Sequence, residues 1–230
     1  MSNPVRDGCV EMFNLAERIT HGLVALSFVV LFLSSASLMW SWARWLMPLF
    51  GGPRWVALVH TWSGYVFAAA FVVAVLGGFR SWVLRVLRWG PNDLVFVRRF
   101  LAIYFGLHSY ADAPPQEKFN GGMKAWSLVA IAGALGVAVT GLLLVFKGAV
   151  GPAGFQVTLG LHVLFALLLT AGVIGHIYLA AFHPEARQSF GSMFGDGTVS
   201  LEYASTHHAA WLEELGVAPR APGARPAPRA

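Results

Sequence analysis

The sequence predicts an all-α membrane protein: a four-transmembrane-helix bundle with an interfacial amphipathic segment between helices 2 and 3. Two observations predict it. Hydrophobic residues make up 57% of the 230 and charged residues 12%, against about 25% charged in a soluble domain. Four long stretches also lack Asp, Glu, Lys and Arg: 25 residues between Arg18 and Arg44, 25 between Arg54 and Arg80, 22 between Lys124 and Lys147, and 37 between Lys147 and Glu185. Crossing the hydrocarbon of a bilayer takes about 20 apolar residues.

Each stretch yields one helix. The first spans about 18–43. The segment before it carries Arg6, Asp7, Glu11, Glu17 and Arg18, and the apolar run that follows is too long for a signal-peptide core, so it is expected to be retained. The second helix spans about 55–80 and the third 125–147. In the fourth stretch, Gly148 to Gly154 holds three glycines and Pro152 and reads as a turn, which leaves one helix over 155–182. The chain thus divides into an N-terminal tail (1–17), the bundle (18–186) and a C-terminal tail (187–230), with disorder expected after about 219, where Ala, Pro, Gly and Arg dominate.

The connections are unequal. Trp40, Trp42, Trp45 and Trp55 surround the short first one, as in an interfacial aromatic belt. The long second one, Arg80 to Lys124, contains Trp82, Arg85, Arg88, Trp89, Arg98 and Arg99, which suits an amphipathic segment lying in the interface. Lys and Arg number two in the N-terminal segment through Arg18, seven in the long connection and four in the C-terminal tail; only Arg44, Arg54 and Lys147 fall on the other side. The positive-inside rule therefore puts both termini in the cytoplasm. The net charge of +5 lies at the ends of apolar runs, so its partner is membrane lipid and not nucleic acid. The single cysteine, Cys9, excludes an internal disulfide and an iron–sulfur cluster held by this chain alone, and no thioether haem-attachment motif is present.

Four of the eight histidines, His21, His60, His162 and His176, fall inside the expected spans, where an ionisable residue is costly and points to function. His162 and His176 are 14 residues apart, which puts them on nearly one helix face and about 21 Å apart along the axis. With the N-terminus inside, His21 and His176 match in depth near the cytoplasmic surface, and His60 and His162 match near the outer one. Two axial pairs follow, each bridging two helices and each suited to one b-type haem iron, with no position left for oxygen. Gly22, Gly64, Gly160, Gly172 and Gly175 flank these ligands. Either clearance for a flat macrocycle or ordinary close helix packing accounts for them. Arg18 and Arg80 sit at inner helix ends, where haem propionates or the positive-inside asymmetry accounts for them. His108 and His183 read as interfacial residues, and the His207–His208 pair reads as a contact for a partner. A membrane anchor without redox work would have no use for paired histidines at matched depth. A transporter would want broken helices or midplane acids, and no Asp or Glu lies inside a span.

From about Glu17 to Trp211 the sequence resembles the gamma subunit (cytochrome b556) of membrane-bound respiratory formate dehydrogenases. The resemblance rests on Glu17-Arg18-Ile19-Thr20-His21, His60 with Gly64, Phe119-Asn120-Gly121-Gly122-Met123-Lys124, Leu161-His162, Gly175-His176-Ile177-Tyr178, Gly191-Ser192-Met193 through Gly197-Thr198-Val199, and His207-His208-Ala209-Ala210-Trp211. The histidine spacing alone is shared with cytochrome b subunits of hydrogenases and related molybdoenzyme complexes. Met123 stands where the family often has Gln, and His60-Thr61 where it usually has His-Pro. The resemblance implies two haem b groups, with His60 and His162 on the outer one and His21 and His176 on the inner. It also implies a site for menaquinone or ubiquinone near the inner haem with Asn120 holding the quinone. An iron–sulfur beta subunit would dock, fed by a molybdenum- or tungsten-containing catalytic alpha subunit that oxidises the substrate, all in a bacterial inner membrane.

Overall fold

The computed structural model describes residues 5–76, 80–108 and 112–219, without the side chains of Arg80, Ser81 and Lys147. The expected disorder after 219 therefore lies outside the described residues. Four helices are long and apolar enough to cross a membrane: α1 (Leu15–Met39), α2 (Pro53–Leu76), α5 (Gly121–Val145) and α6 (Gly151–Ile177), the last extended by a π-helical turn over Tyr178–Phe182. Between them lie α3 (Arg80–Leu87) and α4 (Pro91–Tyr104), and after them α7 (Arg187–Phe194), α8 (Leu201–His207) and α9 (Ala209–Glu214). The protein is a multi-pass helical membrane protein.

Capping chemistry sets the helix starts. At α1, Asn14 Oδ1 accepts from the Glu17 N–H and a Glu17 carboxylate oxygen accepts from the Asn14 N–H, both at 2.9 Å, a reciprocal box that satisfies two otherwise orphaned donors. At α5, Asn120 Oδ1 accepts from the Met123 N–H at 2.8 Å and Gln116 Oε1 from the Gly121 N–H at 2.9 Å. Pro152, expected in a turn, instead occupies the first turn of α6, where its missing N–H costs nothing.

Packing divides the chain into two compact units. The first comprises residues 1–18, 81–128 and 174–230. It contains a three-stranded antiparallel sheet that the sequence pattern did not predict: β1 (Val5–Arg6), β2 (Cys9–Glu11) and β3 (Thr198–Ser200), in that order. Asp7-Gly8, both at positive φ, makes the β1–β2 turn. Register sets Val10 against Val5 and Val199. Val10, Met12, Phe13, Phe119, Val199, Leu201, Trp211 and Leu212 share one buried core. The C-terminal segment is folded as far as α9.

In this unit α4 buries Phe96 and Ile103 with Phe100 and Tyr104 against them, while Leu94, Leu101, Phe105 and Leu107 are exposed. Lys124 is wholly buried. Its ammonium donates to Asp93 Oδ2 (2.8 Å), Glu117 Oε2 (2.9 Å) and the Arg88 carbonyl (2.9 Å), which engages all three of its protons. Lys118 pairs with the buried Glu17 at 3.3 Å. Burial outweighs that attraction and pulls the Lys118 ammonium below its usual range.

His207 and His208 are core residues, contrary to the expected partner contact. His207 is 8% exposed, with Nε2 2.7 Å from Glu185 Oε2. His208 is 1% exposed and its Nδ1 donates to the Glu117 carbonyl at 2.8 Å. Burial pushes its pKa down to about 4. The unfolded chain, with an ordinary histidine pKa near 6.5, takes up the proton first as pH falls. Stability is therefore unaffected above pH 6.5 and declines from there to about pH 4, by up to about 3 kcal/mol. Unfolding midpoints at pH 7 and pH 5 should show this acid sensitivity, and His208→Asn, whose amide can reproduce the Nδ1–H donor, should flatten it. An equal slope in the variant would assign the sensitivity to other groups.

The second unit comprises residues 19–80 and 129–173. Small residues allow close approach of its helices. A Cβ on Gly136 would stand 2.6 Å from the Phe165 ring and one on Gly133 3.1 Å from Leu169, so α5 and α6 meet along glycines. Beyond α1, a 3-10 helix over Ser41–Phe50 folds Ala43 and Leu46 back onto Ala36. Trp42, Trp45 and Trp55 stay exposed.

Candidate functional site

Within the second unit the structure brings together His60 of α2 and His162 of α6, with ring centroids 6.4 Å apart and planes at 84°. Each ring is held from the neighbouring helix of its hairpin. Ser34 Oγ of α1 lies 2.9 Å from His60 Nδ1, and Thr140 Oγ1 of α5 lies 2.9 Å from His162 Nδ1. Gly141 gives His162 its place, since a Cβ there would stand 3.2 Å from the ring.

The hydrogen bonds decide the tautomers. A hydroxyl has one proton. Ser34 Oγ donates it to the Val30 carbonyl at 2.7 Å, and Thr140 Oγ1 to the Gly136 carbonyl at 2.6 Å. With the proton on the carbonyl, each oxygen accepts from its imidazole, the arrangement in which both Nδ1 atoms carry hydrogen. That leaves the Nε2 lone pair of each ring as the available ligand.

This arrangement fits a bis-imidazole haem. Metal–nitrogen bonds of about 2 Å, plus about 1.1 Å from each nitrogen to its ring centre, would separate two imidazole centres by about 6.2 Å, close to the observed 6.4 Å. The glycines near the expected ligands are uncrowded. Cβ atoms placed on Gly22, Gly160 and Gly175 would meet nothing within 4 Å, and one on Gly64 only Leu31 at 4.0 Å. Gly160 and Gly175 lie on exposed helix surface, so their open space does not decide between the two readings; tight packing describes Gly133 and Gly136.

The other expected site residues are distributed between the units. His21 lies on α1 in the second unit. His176 lies near the end of α6 in the first, stacked on Trp126 with centroids 5.2 Å apart and planes at 14°. Arg18 is half-buried, and its Nη2 donates to the Gly195 carbonyl. Arg80 opens α3, and its side chain lies outside the described residues. Asn120 is 5% exposed and caps α5. A Cβ on Gly121 would collide with the Asp93 backbone at 2.4 Å, and one on Gly122 with the Phe100 ring at 2.9 Å. The glycines beside Asn120 thus serve the packing of α4 on α5. His183 accepts from the Glu185 N–H through Nδ1 at 3.4 Å and donates from Nε2 to the Tyr104 carbonyl at 3.2 Å, a structural role. Sequence reasoning missed Ser34, Thr140 and Trp126. The signal for the first two was present: each is a hydroxyl near the same end of the bundle as His60 and His162.

The chain is similar to the formate dehydrogenase cytochrome b556(fdo) subunit of Escherichia coli (strain K12), 23% identical over 213 residues that cover 91% of this chain and 95% of the relative. It is similar to the formate dehydrogenase cytochrome b556 subunit of Haemophilus influenzae, 23% identical over 208 residues covering 86% and 79%. Similarity to the nitrate-inducible formate dehydrogenase cytochrome b556(Fdn) subunit of Escherichia coli (strain K12) is 25% over 205 residues, covering 86% and 88%. The sequence model of prokaryotic cytochrome b561 matches residues 12–196. That match covers most of the chain, which also has four apolar helices long enough to cross a membrane; the chain belongs to the prokaryotic cytochrome b561 family.

Proposed function

We propose that the chain is the membrane cytochrome b subunit of a respiratory formate dehydrogenase, passing electrons from a partner iron–sulfur subunit through two haem b groups to membrane quinone. The observation that carries the proposal is the His60–His162 pair, 6.4 Å apart with both Nδ1 atoms hydrogen-bonded. The named relatives support formate as the donor system. That system includes an iron–sulfur beta subunit and a molybdenum- or tungsten-containing alpha subunit where formate is oxidised.

Haem b, when bound, supplies reversible one-electron chemistry. His60 and His162 would hold the outer group, and His21 and His176 the inner one, a pairing supported by their matched depth along the helices. Held by two imidazoles, each group would carry electrons and not bind oxygen. Trp126, parallel to the His176 ring, keeps that imidazole from turning. Arg18 and Arg80 would neutralise propionates.

The distribution of Lys and Arg supports an inner-membrane protein with both termini in the cytoplasm. A reporter fused after Pro219 should then read as cytoplasmic and one inserted at Gly51 as external; the reverse pattern would exchange the inner and outer assignments. Quinone takes two electrons and two protons to become quinol, so its site must meet both the inner haem and water. We place it near His176 and Asn120. Asn120→Ser keeps an oxygen to cap α5 but withdraws the amide. It should leave both haems reducible by the partner and slow their reoxidation by quinone about tenfold, the worth of one hydrogen bond. Reoxidation at the wild-type rate would leave Asn120 as a capping residue and move the quinone elsewhere.

A further inference from the structure

We propose that Ser34 and Thr140 are positioning residues that fix the tautomer and plane of the outer haem's ligands and thereby set that haem's reduction potential. The proposal rests on the His60–His162 assignment and goes beyond it, because it concerns what stands behind the ligands.

Serines and threonines in apolar helices commonly back-bond to their own carbonyls, and Ser27 does so to Leu23 at 2.7 Å. Ser34 and Thr140 make that same bond, to Val30 and Gly136, and differ in what lies on the other side of the oxygen: an imidazole Nδ1 at 2.9 Å. The back-bond has a consequence for the ligand. It engages the hydroxyl proton, and the oxygen then presents a lone pair to the Nδ1–H. Ser34 is 0% and Thr140 6% exposed, so water is not at hand to replace either one. The device occurs twice, once in the α1–α2 hairpin and once in the α5–α6 hairpin, each hydroxyl preceding its histidine in the chain.

Partners behind a metal-bound histidine orient it and tune its basicity. A hydroxyl draws on the Nδ1–H less strongly than a carboxylate. The imidazoles stay close to neutral and donate modestly to iron, which favours the reduced state. Without the hydroxyl, donation falls further and the ring is free to rotate. The 84° between the ring planes should give the outer haem the highly anisotropic low-spin resonance of perpendicular axial ligands.

Redox titration and low-temperature electron paramagnetic resonance of the purified complex test this. Ser34→Ala and Thr140→Val should each shift one haem's potential upward, alter that haem's anisotropic resonance, leave the other haem unmoved, and weaken retention of the affected haem about tenfold or more. Thr140→Ser should restore wild-type behaviour. Should Thr140→Val not accumulate, Ser34→Ala and the Thr140→Ser rescue carry the test. Two unshifted potentials and an unchanged spectrum in Ser34→Ala would overturn the positioning role. Such a result would leave the electron-transfer reading standing, since that reading is tested separately on the haem content and spin state of the wild-type protein.

Discussion

Replacing His162 by Ala is expected to leave the protein with about one haem in place of two and to abolish electron flow from the partner to quinone. The substitution removes one of two axial donors and empties the space beside Gly141, whose Cα faces the ring. Loss of a partner behind a ligand already costs about 10–100-fold in metal affinity, and loss of the ligand itself costs more. His60 would remain with its Nδ1–H on Ser34 but with no counterpart across the iron. His60→Ala should give the same result, and the double variant should lose no more than either single one, because both remove the same group. His176→Ala should remove the other haem. Haem per chain by pyridine haemochrome is the readout, and independent losses at His60 and His162 that add to two would break the pairing.

The second large effect is on stability. Lys124→Met is expected to destabilise the protein by about 3–5 kcal/mol, the cost of leaving a buried charge without its partner. The ammonium is 0% exposed and the Asp93 carboxylate is nearly so, whereas Glu117 is 48% exposed and can turn to water. The loss therefore falls on Asp93. Lys124→Met with Asp93→Asn removes both charges and keeps an oxygen for the Gly90 N–H, which Asp93 now caps at 2.8 Å. The double variant should recover most of the loss. If it is as unstable as the single one, the three-way hydrogen bonding of Lys124 matters through geometry and not charge. By contrast the exposed Arg85–Glu214 pair, although bidentate at 2.7 and 2.8 Å, should be worth about 1 kcal/mol or less.

What could be read from the chain alone follows from how local each determinant is. The four spans were legible because lipid contact forbids charge over some twenty consecutive residues, and those runs are contiguous. Helix starts were not, because each depends on a side chain turning back on its own backbone: Asn14 with Glu17, Asn120 with Met123, and Pro152 accepted in a first turn. The small sheet and the folded C-terminal segment escaped notice because Val199, Leu201, Trp211 and Leu212 find their core partners near the opposite terminus, at Val10, Met12 and Phe13. Nothing periodic marks such contacts. His207 and His208 looked like surface residues for the same reason.

At the site, the ligand histidines stood out because polar residues are scarce inside spans. The pairing of His60 with His162 needed only depth along helices of known direction. Ser34 and Thr140 required the rotational register of two helix pairs as well, which no single sequence displays. Asn120-Gly121-Gly122 invited a quinone reading, yet the glycines answer to the backbone of Asp93 and the ring of Phe100.

The central claim is that this chain carries two b-type haems, each held by two histidines. Haem per chain in the purified wild-type protein, read together with the reduced-minus-oxidised spectrum and a redox titration, tests it most directly. The account predicts about two haems b per polypeptide, low-spin, titrating as two components; one haem per chain without loss on preparation, or a high-spin spectrum, would contradict it.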